Sequence, residues 1–193
     1  MDRYLENLNE SQLKATLNTE GPMIVIAGAG SGKTRVLTYK IAYLMTKGID
    51  PFNILALTFT NKAAREMKDR IAMIVGDEAK NLWMGTFHSV FAKILRIEAE
   101  KLGYTSNFTI YDTEDSQKLV SSIIKELNLD KEIYKYKSIF ARISSLKNSL
   151  ITPKAYRQNV DLIESDKIAK RTSFIEVYVE YINRCFKSGA MDF

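Results

Sequence analysis

Residues 23–34 read Met-Ile-Val-Ile-Ala-Gly-Ala-Gly-Ser-Gly-Lys-Thr, and no other stretch of this chain restricts its fold so tightly. The apolar run Met23 to Ile26 follows Gly21-Pro22 and reads as a short buried strand. A glycine-rich turn comes next and ends in Gly32-Lys33-Thr34 at the start of a helical pattern. That order describes a phosphate-binding loop, in which main-chain N–H groups close on a polyphosphate at a helix N-terminus, where unpaired donors and the helix dipole both favour an anion. Gly28, Gly30 and Gly32 suit such a cradle because a Cβ would block the positive φ angles or the close approach it requires. Lys33 is placed to reach the β- and γ-phosphates, and the Thr34 hydroxyl to ligate the Mg²⁺ that bridges them. Ala27 stands where the usual pattern has its first glycine, a small departure in a small residue.

The 193 residues, 46% of them hydrophobic, allow one good core or two modest ones. A net charge of +5 permits a polyanionic partner without requiring one. Residues 1–103 carry 14 basic and 11 acidic side chains and residues 104–193 carry 14 and 12, so neither half is a basic tail. A single cysteine, Cys185, excludes an intrachain disulfide, and the lone His88 without cysteine partners excludes a His/Cys zinc cluster. The chain opens Met-Asp-Arg-Tyr-Leu-Glu with no apolar leader, and no apolar run approaches the ~18 residues that span a bilayer, so the expected location is cytoplasmic.

Upstream of the loop, residues 4–19 read as a short helix or a loop plus helix, with Leu5, Leu8, Leu13 and Leu17 inward. Gln12 lies within it; its amide offers one acceptor and one donor, enough to pair with the N6 and N7 edge of adenine, although a surface glutamine is the plainer reading. After Thr34 a helix with Val36, Leu37, Ile41, Leu44 and Met45 inward stops at Gly48 and Pro51, and Ile54 to Leu57 follow as a second strand. Strand, helix and strand in this order make a right-handed βαβ unit and hence a parallel sheet.

The second strand runs into Thr58-Phe59-Thr60-Asn61-Lys62, with Thr60 or Asn61 as the cap of a helix that carries Ala64, Met67, Ile71 and Ile74 inward and ends at Gly76. Phe59 is either core filler or, with Thr60, Asn61 and Lys62 beside it, the stacking face of a single-stranded nucleic-acid site at a strand C-terminus. A third strand, Leu82 to Met84, leads into Gly85-Thr86-Phe87-His88-Ser89 and a helix with Val90, Phe91, Ile94, Leu95 and Leu102 inward. Thr86 and His88 repeat the pattern of polar groups at a strand end, with a capping or core role open for the histidine. The run Met73-Ile74-Val75-Gly76-Asp77-Glu78 imitates the apolar strand plus Asp-Glu that holds Mg²⁺, but it continues the helical period from Met67 and is rejected.

Beyond Gly103 the character changes: Phe108 to Tyr111 read as one more strand and everything after it as helix. Asp112 to Asp115 start a helix with Leu119, Val120, Ile123, Ile124 and Leu127 inward, and Thr152-Pro153 is a cap with proline at the first helical position. Ile168, Phe174, Ile175, Tyr178, Tyr181, Ile182, Cys185 and Phe186 keep helical spacing up to Gly189. Lys131, Lys135, Lys137, Arg142, Lys147, Lys154 and Arg157, interleaved with tyrosines and Phe140, form either the solvated face of a helix pair or a groove for a nucleic-acid backbone.

Taken together, Leu8-Asn9-x-x-Gln12, Ala27 to Arg35, Leu57 to Met67 and Gly85 to Ser89 resemble, in order and spacing, the UvrD/Rep/PcrA family of superfamily 1 DNA helicases. The likeness covers residues 8–103 most fully; Tyr111 to Asp115 and Met191-Asp192-Phe193 look like the bounds of the family's helical insert. The resemblance implies an α/β fold: a P-loop NTPase (RecA-like) parallel sheet with helices on both faces in residues 1–108, part of motor subdomain 1A, and an all-helical insert, subdomain 1B, in residues 109–193. It further implies that Gln12 reads adenine and that Arg35 packs on the base. Ala27, Gly28, Ala29, Gly30, Ser31 and Gly32 would wrap the phosphates of ATP, and Lys33 and Thr34 would hold phosphate and Mg²⁺. Phe59, Thr60, Asn61, Thr86 and His88 would touch single-stranded DNA.

In that family the second nucleotide motif, the arginine fingers and a second motor domain follow the insert, and this chain stops at Phe193. The expectation is therefore the N-terminal part of a 3′ to 5′ helicase working on single strands and junctions, one that binds ATP and DNA but hydrolyses poorly without its remaining domains. Two alternatives are a non-hydrolysing nucleotide- and DNA-binding module and part of a helicase-nuclease subunit.

Overall fold

The computed structural model describes residues 3–192; Met1 and Asp2 of the expected start, and Phe193 of the expected boundary, lie outside them. The chain is mixed α/β and rich in helix, and it divides into two compact units with the break between Ile94 and Leu95.

In the first unit a 3₁₀ turn, Arg3–Asn7, precedes helix α1, Glu10–Leu17, which opens on a reciprocal cap between Asn9 and Gln12. Helix α2, Lys33–Thr46, packs beside it and ends near Gly48, a left-handed position. Lys40 donates to the carbonyls of Ala15 and Asn18, tying the end of α1 to α2; partial burial pulls its ammonium below the ordinary lysine value. Strand β1, Leu55–Thr58, helix α3, Asn61–Val75, and strand β2, Trp83–Thr86, form a βαβ unit in which β1 and β2 pair in parallel with Leu57 opposite Gly85 and Thr58 opposite Thr86. Ile41, Met45, Ile54, Ala56, Met67, Ile71, Ala79 and Leu82 make its core. Gly85 must lack a Cβ, which would come within 2.5 Å of Ser89 Oγ, and this lets helix α4, Phe87–Glu98, start directly on the strand.

Met23 to Ile26 do not form the expected strand. They run irregularly and exposed, with Ile24 at 88% and Ile26 at 95% of full accessibility. An apolar sequence becomes a strand only when a neighbour takes up its N–H and C=O groups, and among the described residues of this unit the only ladder is β1 with β2. The parallel βαβ unit is therefore β1-α3-β2, one element later than expected. Met73 to Val75 lie at the end of α3, as the helical period required. Several positions assigned inward by spacing are exposed instead, namely Leu17, Leu37, Phe91, Leu102 and Leu127, and so are Ile168 and Phe186, which keep helical spacing. In α1 and α2 Thr16, Thr38 and Ala42 go inside as well, with Val36, Ile41 and Met45 buried as expected.

The second unit is not all-helical. Strand β3, Thr109–Tyr111, pairs in parallel with β4, Ala190–Asp192, a partner some 80 residues away that three residues of sequence could not announce. Around this ladder stand α5, Thr113–Glu126, capped by Asp112 with Asp115; α6, Tyr136–Asn148; α7, Pro153–Arg157, capped by Thr152; α8, Val160–Ile168; and α9, Phe174–Lys187. Residues 95–108 pack here too, since Arg96 donates to the carbonyls of Ser106 and Phe108 and the Tyr104 ring meets Phe186 at 5.0 Å. Ile168 ends α8, and Lys170 at φ +59° separates it from α9.

Two buried carboxylates hold this unit together. Asp166 of α8 accepts from the Tyr156 hydroxyl at 2.8 Å and from Arg142 at 3.1 Å. Asp192 of β4 accepts from the Tyr181 hydroxyl at 2.7 Å and pairs with Lys147, whose ammonium burial shifts downward. Arg142 and Lys147 of the basic stretch are thus spent on internal carboxylates, and Tyr134 and Tyr156 on the core. Lys131, Lys135 and Lys137 instead line a cavity of about 650 Å³ with Tyr136 and Ser138.

Candidate functional site

Helix α2 begins at Gly32, which holds φ +86° and supplies no side-chain cap, so the first N–H groups of the helix have no intrahelical partner. The left-handed φ calls for glycine there, and a Cβ would lie 2.7 Å from Gln12 Nε2, so the glutamine amide would have to move aside. Gln12 reaches this point because α1 packs along α2; it donates from Nε2 to the Ser31 carbonyl at 2.9 Å. The Ser31 hydroxyl donates to the Gly28 carbonyl at 2.7 Å and tightens the turn.

Lys33 folds back over the loop and donates to the carbonyls of Ala27 at 2.8 Å and Gly28 at 2.7 Å. Gln12, Gly30, Ser31, Gly32, Lys33, Thr34, Arg35 and Arg70 line one open cavity of about 420 Å³. Its wall carries three cations and no carboxylate among the described residues, while the unpaired amides at the head of α2 add to the positive field. This donor set fits a polyphosphate: small residues leave the loop open, with nothing within 4 Å of a Cβ built on Gly28 or Gly30. For a divalent cation the cavity offers the Thr34 hydroxyl, an oxygen ligand of the kind Mg²⁺ takes, but no carboxylate among the described residues.

Arg70 is the member of this wall that sequence reasoning missed. It stands on α3, ten positions past the cap Thr60, pairs loosely with Glu66 at 3.9 Å, and reaches the loop because α3 packs against α2, which no local pattern reveals. Ala27, Gly28 and Ala29 lie outside the cavity wall, the first two contributing their carbonyls to Lys33.

A second cluster forms where β1 and β2 end side by side. Parallel pairing brings Thr58 opposite Thr86, so the residues that follow each strand open on the same edge of the ladder. Phe59, 90% exposed, tilts against Phe87 with ring centroids 5.5 Å apart. Thr60 accepts from the Ala63 amide and caps α3, with Asn61 exposed as its first residue. Thr86 is buried and its hydroxyl is engaged with Ser89, accepting from the Ser89 amide at 3.2 Å, whereas His88 is exposed in the first turn of α4. Phe87 was missed as a site residue; the signal was an aromatic directly after each of two consecutive strands, at Phe59 and Phe87.

The UvrD/REP helicase N-terminal domain family matches residues 8–193 of this chain. The chain is also similar to proteins named ATP-dependent DNA helicase PcrA from Staphylococcus epidermidis and Staphylococcus aureus, each 42% identical over 194 aligned positions that take in 100% of this chain and 26% of the relative. It therefore spans about a quarter of the length of these curated relatives. No helix among the described residues is long and apolar enough to cross a membrane.

Proposed function

The chain belongs to the UvrD/REP helicase N-terminal domain family, and on that footing we propose that it forms the ATP-binding N-terminal part of an ATP-dependent DNA helicase that moves 3′ to 5′ on single-stranded DNA and unwinds duplex. The observation that carries this reading is the cationic cavity at the head of α2, with the Lys33 ammonium resting on two loop carbonyls. In the proposed role that ammonium exchanges the carbonyls of Ala27 and Gly28 for phosphate oxygens, and the amides of Gly32 to Thr34 turn toward the same anion. Gln12 and Arg35 take the base, and the Thr34 hydroxyl supplies one ligand to Mg²⁺. Bound ATP supplies the phosphoanhydride whose cleavage drives movement. Carboxylates that complete the metal site, and arginines that stabilise transition-state charge, would come from segments of the longer protein, so this chain alone binds nucleotide and turns it over slowly.

The exposed pair Phe59 and Phe87, with Thr60, Asn61 and His88 beside it, is proposed as the track for single-stranded DNA, its rings stacking on bases and its polar groups meeting phosphates. Thr86 acts there through the shape of the α4 start rather than by offering its hydroxyl. We also propose that Met23 to Ile26 become a strand of a RecA-like sheet with helices on both faces once a flanking strand of the longer protein pairs with them; their exposed apolar side chains support this. By role, residues 1–108 are the motor part (1A) and 109–193 the insert (1B), a division that differs from the packing division at Ile94.

The test is ATP binding with Mg²⁺ by wild type and Lys33→Ala, followed by phosphate release with and without single-stranded DNA. Lys33→Ala is expected to weaken binding at least about tenfold, a typical loss for a charge-assisted contact. Equal affinity overturns the site. Release well above the Lys33→Ala control by this chain alone overturns the statement that it turns over slowly.

A further inference from the structure

Three lysines of the basic stretch, Lys131, Lys135 and Lys137, have no part in the function proposed above. Arg142 and Lys147 of the same stretch are neutralised by buried carboxylates, whereas Lys131 and Lys137 carry no ion pair among the described residues. Lys135 meets Glu132 at 3.8 Å with both side chains largely in solvent, a pair too weak to hold its ammonium against a better partner. The three side chains stand around one cavity of about 650 Å³, within the roughly 300–1,000 Å³ of ordinary ligand pockets.

That cavity is not polar throughout. Ile124 of α5 and Tyr134 line it although each is almost fully buried, so they form its floor. The floor is held in place from behind: the Tyr134 hydroxyl accepts the Ser173 N–H at 2.9 Å, and Ser138 accepts from Arg171 at 3.0 Å, which ties both to the segment leading into α9. A site built before its ligand arrives loses less on binding. Tyr136, part exposed, adds an aromatic edge at the rim.

An apolar floor inside a rim of ammonium groups suits a ligand that is anionic around one apolar point. A nucleic-acid backbone is the other polyanion that lysines meet, but it has no apolar side group to cover Ile124 and Tyr134. It is also best served by cations strung along a groove, not gathered over one concavity. A peptide with several carboxylates beside an aromatic side chain meets both demands, the ring as anchor and the carboxylates on the rim.

We propose that the cavity at Lys131, Lys135 and Lys137 is a docking site for an acidic segment of a partner protein, with one aromatic side chain of that segment seated on Ile124 and Tyr134. The site lies wholly within the second unit and is independent of the nucleotide and DNA readings, which the Lys33→Ala and Phe59 tests decide separately.

The experiment follows the fluorescence anisotropy of a labelled Glu-Asp-Phe-Asp-Glu peptide at low and at high salt. It is titrated with wild type and with the Lys131→Glu/Lys137→Glu and Lys131→Arg/Lys137→Arg variants. Both positions are exposed, so the fold is expected to hold in each variant, checked by far-ultraviolet circular dichroism. Wild type binds, more weakly at high salt. Charge reversal cuts the affinity at least about tenfold, and the arginine pair, which keeps both charges, retains most of it. The same peptide with Ser in place of Phe binds at least about tenfold more weakly, as loss of an anchor does. Equal binding of the two peptides would reduce the attraction to charge alone and overturns the proposal. So does a wild type that leaves the peptide free, or a charge reversal without effect on it. Single-stranded and duplex DNA are titrated into the same proteins, and a fall in affinity for either on charge reversal that matches or exceeds the peptide's assigns the cavity to nucleic acid and overturns the proposal as well.

Discussion

In residues 95–192 thirteen buried residues form one hydrophobic cluster, reinforced by the buried carboxylates Asp166 and Asp192, whereas the cluster in residues 3–94 has eight. The first unit meanwhile leaves Ile24, Ile26 and Phe59 almost fully in solvent. Charge does not distinguish the two, as both halves are mildly basic. The difference is in grouping: the second unit exposes apolar side chains such as Leu150, Val160 and Ile168 around its larger cluster, and the first exposes Ile24 and Ile26 in the run that leads into its cationic loop. Exposed apolar side chains in the first unit suit the proposed role of that surface, which would receive DNA, nucleotide or further strands.

The comparison is broken most directly through the second core. Phe174 is fully buried between Tyr156 and Tyr178, its ring centroid 5.5 and 6.1 Å from theirs. Phe174→Ala is expected to cost about 3–5 kcal/mol in denaturant unfolding followed by far-ultraviolet circular dichroism, because the surrounding rings cannot collapse into the space. A loss near that of a surface change, ~0.5 kcal/mol, would mean that this core is no better filled than the first.

A smaller effect, on binding rather than folding, sharpens the other side. Phe59→Ala is expected to weaken single-stranded DNA binding by ~1–3 kcal/mol across a salt series, with ATP affinity unchanged. Stability should move by less than ~0.5 kcal/mol, since the ring is exposed and loses only its tilted contact with Phe87. Unchanged DNA binding at every salt concentration would reduce the aromatic pair to surface decoration.

Local features were legible in the sequence. Thr60, Asp112 and Thr152 cap the helices expected of them, Gly76 stops α3, and Met73 to Val75 belong to that helix rather than to a strand. Each depends on groups within a few residues, and a short stretch of sequence contains them all. The resemblance put Gln12 with the glycine-rich loop, but its bond to the Ser31 carbonyl, made where α1 packs along α2, was announced by no motif. What failed was whatever depends on a distant neighbour. β3 and β4 find each other across the whole second unit, Arg70 reaches the loop only because α3 packs against α2, and helical spacing could not tell that Phe91 and Leu102 would face solvent. In the basic stretch the sequence left two readings open, and packing divides it: Arg142 and Lys147 turn to internal carboxylates while Lys131, Lys135 and Lys137 stay on a cavity wall.

The smallest expected effect is also the one that separates the two units most cleanly. Ile24 is branched and apolar, in a run that by composition alone belongs in a core, yet it is exposed. If the segment has no neighbour in this chain, Ile24→Ser removes no buried contact, and unfolding of the chain should change by less than ~0.5 kcal/mol. The same substitution in a protein that carries the proposed flanking strand should cost about 2 kcal/mol or more, because the side chain would then be covered on both faces of a parallel sheet. A full core-sized loss already in the 193-residue chain would mean that residues 23–26 find a partner without the flanking strand. The exposure of this run in the first unit would then be gone.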